Sequence, residues 1–199
     1  MFMDHKAALS ALSVGLMAAA YGIYLYRTVQ KRGVQPHPFS WLLWGLVTAV
    51  GYFVQRVQGG WAGSLVTGLT ALVCISIGLL TLVLFTWEFA WFDWCSLGLG
   101  LLVFGGYLVL ALNPTLSAVL ATITDVLGYI PTVKKGWTEP HKDSAASFAL
   151  NSAKFIPALC VLEAYSISTC LYPATLVVMN GGVALMLFIR QRQVPDISQ

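Results

Sequence analysis

A chain of 199 residues in which 58% are hydrophobic and only 10% charged departs from soluble domains, where charged residues make up about a quarter. Mean hydropathy is +0.77, so more apolar surface is present than a core of this size can hide, and the excess faces lipid. The formal charge of +3 is small and scattered, which argues against a nucleic-acid-binding surface.

Seven apolar runs follow in chain order, at about 7–27, 39–57, 61–84, 95–112, 114–133, 144–164 and 166–189. Each is near the ~20 residues needed to cross a bilayer core. The first has Lys6 ahead of it and Ala18, Ala19 and Ala20 towards its end, the outline of a signal peptide. It takes part in an internal repeat, however, and is read as a true span. Before the fourth run, residues 85–94 alternate aromatics with Glu88 and Asp93, the pattern of an interfacial aromatic belt. Pro157 and Pro173 predict kinks in the sixth and seventh runs, and Glu163 reads as interfacial. Cys74, Cys95, Cys160 and Cys170 stand singly, without C-x-x-C or metal-ligand spacing, and read as small buried hydrophobes. No metal, cofactor or catalytic residue is expected. The G-x-S-x-G, H-E-x-x-H and Walker patterns are missing, so the chain does not read as an enzyme.

Shifted by 104 positions, the chain matches itself without a gap. Thr28, Val29, Lys31, Pro36, His37 and Ser40 recur as Thr132, Val133, Lys135, Pro140, His141 and Ser144. Upstream, Leu12, Ser13 and Leu16 meet Leu116, Ser117 and Leu120. Downstream, Leu46, Ala49, Ser64, Leu72, Val73 and Gly78 meet Leu150, Ala153, Ser168, Leu176, Val177 and Gly182. Runs one to three therefore match runs five to seven, and the fourth has no partner. Three spans end on the side opposite their start, and one further span returns the chain, so both repeats enter from the same side. This is a parallel repeat about an axis along the membrane normal. The predicted fold is all-α: one membrane domain over 1–199, with triple-helix repeats at 7–84 and 114–189 joined by a linker helix at 95–112. Gly78 and Gly182, small residues at matching positions, are expected to face other helices.

Arg27, Lys31, Arg32, Lys134, Lys135, Lys142, Arg190 and Arg192 all fall on one predicted side, against Lys6 and Arg56 on the other. The positive-inside rule puts the N-terminus outside and the C-terminus in the cytoplasm of a bacterial-type inner or plasma membrane.

Polar residues inside the spans are the candidates for function. Asp125 lies about 10 Å of helix rise from Thr132, and Lys154 about 15 Å from Ser144. Runs five and six are antiparallel, so the two charges are expected to be neighbours, since either alone would cost at least roughly 3 kcal/mol at that depth. The matching positions of the first repeat are Tyr21 and Val50, both uncharged. Such a pair is either a structural ion pair or a site that binds or relays an ion, a proton or a charged solute. Thr122, Thr124, Asn151 and Ser152 surround it in sequence, and about half of these are expected to bond to their own helix. Asn180 sits mid-span beside Gly181 and Gly182. His37 and His141 each follow a proline near the cytoplasmic mouth; a proton gate is one reading, and a turn opening a helix the favoured one.

Three helices, a lone helix and three more, with the N-terminus outside, resemble the layout of the SWEET sugar transporters. Their superfamily includes half-size bacterial relatives, the PQ-loop proteins and the KDEL receptors. Pro131-Thr132 resembles the family's Pro-Gln or Pro-x-x-Thr position, and Lys135 followed by Ser144 its Lys…Ser spacing. Ser40 and Trp44-Gly45 are similar to the Ser and Trp of the second helix, and Asn180-Gly181 to the Asn of the last helix. The resemblance implies a facilitator or proton-coupled carrier of a small solute, with its site between the two triple-helix repeats. Its candidate substrate- or ion-binding residues here are Asp125, Lys154, Asn180, Ser76, Trp44 and Asn151. Departures are the Thr at 132, Arg27-Thr28 without a proline, Ser76 where Asn180 predicts a second asparagine, and Phe148 opposite Trp44; they argue against carrying over a sugar. The other reading is a non-transporting receptor or accessory subunit. Expected partners are the lipid bilayer, a small solute or proton, and a homo-oligomer or larger membrane complex, with no nucleic acid.

Overall fold

The computed structural model describes residues 2–30, 33–57, 61–109, 113–160, 162 and 165–195. Lys31, Arg32 and Glu163 fall outside the described residues, as do the side chains of Lys6, Arg56, Ser64, Ser117 and Ser168. The described chain is all-helical. Seven α-helices run in order: α1 Phe2–Val29, α2 Pro38–Val57, α3 Trp61–Leu84, α4 Trp91–Val109, α5 Pro114–Thr138, α6 Ala145–Cys160 and α7 Ile167–Gln193, with a 3-10 turn at Pro140–Lys142 before α6. Each helix coincides with one apolar run to within a few residues, because an apolar run of that length has few ways to satisfy its backbone other than a helix. Prolines lie inside α5, α6 and α7 (Pro131, Pro157, Pro173).

Two helices, over Ala7–Val29 and Thr169–Gln193, are long and apolar enough to cross a membrane, and Gly68–Leu84 and Trp91–Gly106 are shorter apolar helices, among the described residues. Helix α6 has 16 residues, short of the ~20 that a bilayer core requires.

The helices form two compact units, Met1–Val34 with Lys135–Gln199, and Gln35–Lys134. In the second, α2 lies along α3, and glycines set how closely. A Cβ on Gly45 would meet Ile75 at 2.5 Å, and one on Gly78 would meet Leu42 at 2.8 Å. Pro131 has no N–H to offer the carbonyl of Leu127 one turn back; Ser96 of α4 donates its hydroxyl to that carbonyl instead, at 2.9 Å. A proline in α5 and a serine in α4 thus satisfy one another.

In the first unit α6 packs on both α1 and α7. Tyr24 of α1 meets Phe148 of α6 edge to face, with centroids 6.2 Å apart. Ser13 of α1 donates to the carbonyl of Lys154 at 2.8 Å, in the turn before Pro157. Ser152 of α6 donates to Val177 O of α7 at 2.8 Å.

The two units relate to the repeat in a particular way. One holds α1 with α6 and α7, the other α5 with α2 and α3, plus α4. Each therefore combines the first helix of one repeat with the second and third helices of the other. Matching positions are buried in both units, but they take different partners. Thr132 donates to Ser40 Oγ at 2.8 Å, and their counterparts Thr28 and Ser144 are both fully buried. The carbonyl of Pro36 accepts from Thr81 of α3, and that of Pro140 accepts from Gln191 of α7.

Two packing expectations need correction. Gly78 faces α2, but a Cβ on Gly182 would meet nothing within 4 Å, and its neighbour Gly181 is the one that faces α6, at Ser152. A shift of one residue turns a helical position by about 100°, so the small residue serving the interface is the adjacent one. Of the four cysteines only Cys74 is buried; Cys95 and Cys160 are exposed. A thiol is apolar enough to stand among the exposed Leu, Val and Trp side chains around it.

Candidate functional site

In the Gln35–Lys134 unit the polar centre is Asp125 on α5, 3% exposed. Trp44 of α2 lies over the bare backbone of Gly128, which lets its indole N–H reach the main-chain oxygen of Asp125 at 3.0 Å. Tyr129 stacks obliquely on that indole at 4.6 Å, and Trp41 meets it edge-on at 5.4 Å. Thr122 and Thr124 donate to Ala118 O and Leu120 O of their own helix, so their hydroxyls are occupied locally. Ser76, placed in the candidate set by the repeat, is on an exposed position of α3. It stands apart from the buried polar residues of its unit, because α3 presents that face outward.

In the other unit Lys154 of α6 is 6% exposed. Its ammonium donates to the hydroxyl of Tyr21 at 3.2 Å. It also sits over the rings of Tyr21 and Phe155, at 4.5 and 4.8 Å from their centroids. Tyr21 is the repeat counterpart of Asp125. Asn151, one turn before Lys154, is buried with its Oδ1 lacking a hydrogen-bond partner. Asn180 is buried on α7 and donates its amide to Leu176 O of its own helix at 2.8 Å. The structure thus brings Trp44 to Asp125, and Lys154 to Tyr21. Asp125 and Lys154 belong to different compact units.

Two further buried polar groups lie outside the candidate binding set. Asp143, just ahead of α6, is 3% exposed. Its Oδ1 accepts from the hydroxyl of Tyr24 at 2.7 Å and from Ser144 N–H at 2.8 Å, and its Oδ2 is buried without a partner. Burial raises the Asp143 carboxyl above the ordinary range, opposed by the charge of Lys135 and by these two hydrogen bonds. Lys135, at the end of α5, is pushed down to about 8 by burial, with Asp143 and Glu139 acting in its favour and Lys142 against it. It donates to Lys142 O at 3.1 Å.

The second is His37, whose Nε2 lies 3.7 Å from Asp93 Oδ1 of α4. Phe39, Trp87 and Phe89 meet the imidazole edge to face. Part of the aromatic 85–94 stretch therefore encloses a histidine, while Trp91 and Trp94 are exposed. The equivalent His141 places Nε2 2.7 Å from Val194 O. Two ends of the chain's connections are tied by histidines, each to a different partner.

No protein-family model matches this chain, and neither a curated protein nor a solved structure matches it.

Proposed function

We propose that the chain is an integral membrane protein of seven spans, in a 3+1+3 parallel repeat resembling that of the SWEET transporters, and that it moves a small solute, by facilitation or with a proton. The observation that carries this reading is the burial of Asp125 and Lys154 within helices whose outer surfaces are apolar. Val83, Leu102, Val109 and Val178 are each at least 70% exposed, as lipid-facing side chains are. Ionisable groups inside such a shell are costly and mark solute or ion paths. The proposed orientation is N-terminus out and C-terminus in, from Arg27, Lys134, Lys135, Lys142, Arg190 and Arg192.

A non-transporting receptor or accessory subunit is the second reading. Exposed Trp91, Trp94, Trp137 and Tyr165 are the aromatic surface that favours it, because such residues anchor protein interfaces as well as membrane ones. A thermal-shift screen of the purified chain against hexoses, amino acids and organic cations separates the two. A carrier is stabilised by one chemical class of solute, by mass action on the folded state. Stabilisation by none of them, together with one protein captured by crosslinking in membranes, supports the subunit reading.

A further inference from the structure

We propose that Asp143 is a proton-binding site which, in its neutral form, seats the α5–α6 connection against α1, and which loosens that joint on giving up its proton. The geometry is that of a joint where four elements meet around one carboxylate. Tyr24 reaches it from α1. Ser144 N–H reaches it from the start of α6. Gln191 of α7 holds the neighbouring carbonyls of Pro140 and Asp143, at 2.9 and 3.3 Å. Lys135 comes from the end of α5. The charged and titratable groups around the joint are Lys135, Glu139, His141 and Lys142 on the connection and Tyr24 on α1. Glu139 and Lys142 are paired and half in water, so protons reach the edge of the joint.

The carboxylate is used unevenly. Oδ1 accepts two hydrogen bonds, while Oδ2 is buried with none. A buried, unpaired oxygen carrying half a negative charge is costly, and a proton on Oδ2 removes that cost. The same proton weakens the hold of Oδ1 on the Tyr24 hydroxyl, because a neutral acceptor is weaker than a charged one. Desolvation is the larger of the two effects and raises Asp143, so the proton favours the buried joint over one opened to water.

The joint does not need a carboxylate in order to form. The repeat places Phe39 where Asp143 stands, and the matching connection in the other unit is held by Thr81 on Pro36 O. An ionisable group at 143 is therefore an addition to a joint that an apolar residue can also fill. The proposal stands whether or not the chain carries a solute.

The test uses the full chain in nanodiscs. Infrared titration should show a protonated-carboxyl band, lost in Asp143→Asn, that persists to higher pH than an ordinary aspartate allows. Tyr24→Phe and Lys135→Met each remove a group favouring the charged form, so each should move that band to still higher pH. Protection of residues 139–144 against hydrogen exchange should fall roughly tenfold or more as Asp143 gives up its proton, the linkage expected of about one unit of difference between the closed and the opened joint. Asp143→Asn, neutral throughout, should keep the protected rate at every pH. A band titrating at or below the ordinary range overturns the proposal, as does exchange that is indifferent to pH. If Asp143→Asn cannot be recovered folded, Tyr24→Phe decides: protection lost at a higher pH than in the parent supports the proposal, and an unshifted pH dependence overturns it.

Discussion

Trp44 covers Gly128 so closely that a Cβ on the glycine would sit 2.6 Å from the indole nitrogen. That approach is what brings the indole N–H to the main-chain oxygen of Asp125. A methyl group at 128 has to displace a large aromatic ring wedged against Tyr129. Gly128→Ala is therefore expected to cost about 1–3 kcal/mol by overpacking, read as a fall in Tm in detergent. Gly182→Ala is the control: it faces open space and should stay within about 0.5 kcal/mol of the parent. Equal losses at both positions would contradict the packing described.

Much of this fold is legible in the sequence, for physical reasons particular to it. The helices are visible because seven apolar runs are each long enough to favour a helix over a strand, and even the boundary at Leu84 is read correctly. The burial of Asp125, Lys154, Asn151, Asn180 and Trp44 follows from polar or amphipathic residues standing inside such runs. Ser76 misleads because a repeat transfers position along a helix without transferring which face is covered. Asp143 is hidden because its burial comes from Tyr24, 119 positions away, and an aspartate in a short connection ordinarily reads as solvated. The exchange of first helices between repeats is invisible too, since a constant offset of 104 positions is the same whichever copy supplies the partner.

The Tyr21–Lys154 contact gives a second prediction. Tyr21→Phe removes the acceptor of a charged hydrogen bond and should cost roughly 1.5–3 kcal/mol. Lys154→Met alone leaves the tyrosine hydroxyl without its donor. Combining the two should cost less than their sum, a coupling that a double-mutant cycle in thermal unfolding measures directly. Strict additivity would mean that the ammonium draws nothing from Tyr21.

A third prediction concerns pH. Lys135 ionises at about 8 when folded against an ordinary 10.5, so between those values the unfolded chain holds the proton that the folded one has lost. Stability from this group is lowest below about 8 and recovers as pH rises towards 10.5. Asp143 is shifted the other way. From its ordinary 3.8 up to its raised value the folded chain holds the extra proton, so its contribution to stability falls as pH rises. Plots of Tm against pH should lose the alkaline rise in Lys135→Met and the acidic-side fall in Asp143→Asn. An alkaline rise that survives Lys135→Met would assign it to another group.

Solute movement is the central claim, and uptake into proteoliposomes tests it most directly. The full chain is reconstituted in vesicles containing a pH-sensitive dye and offered radiolabelled hexoses, amino acids and organic cations in turn. At least one should enter faster than into protein-free vesicles, and Asp125→Asn should lower that initial rate at least roughly tenfold, the loss of about 1.4 kcal/mol of barrier stabilisation, while inserting in equal amount. Parent and Asp125→Asn vesicles that both match protein-free vesicles for every solute, with no change in dye signal, would contradict it.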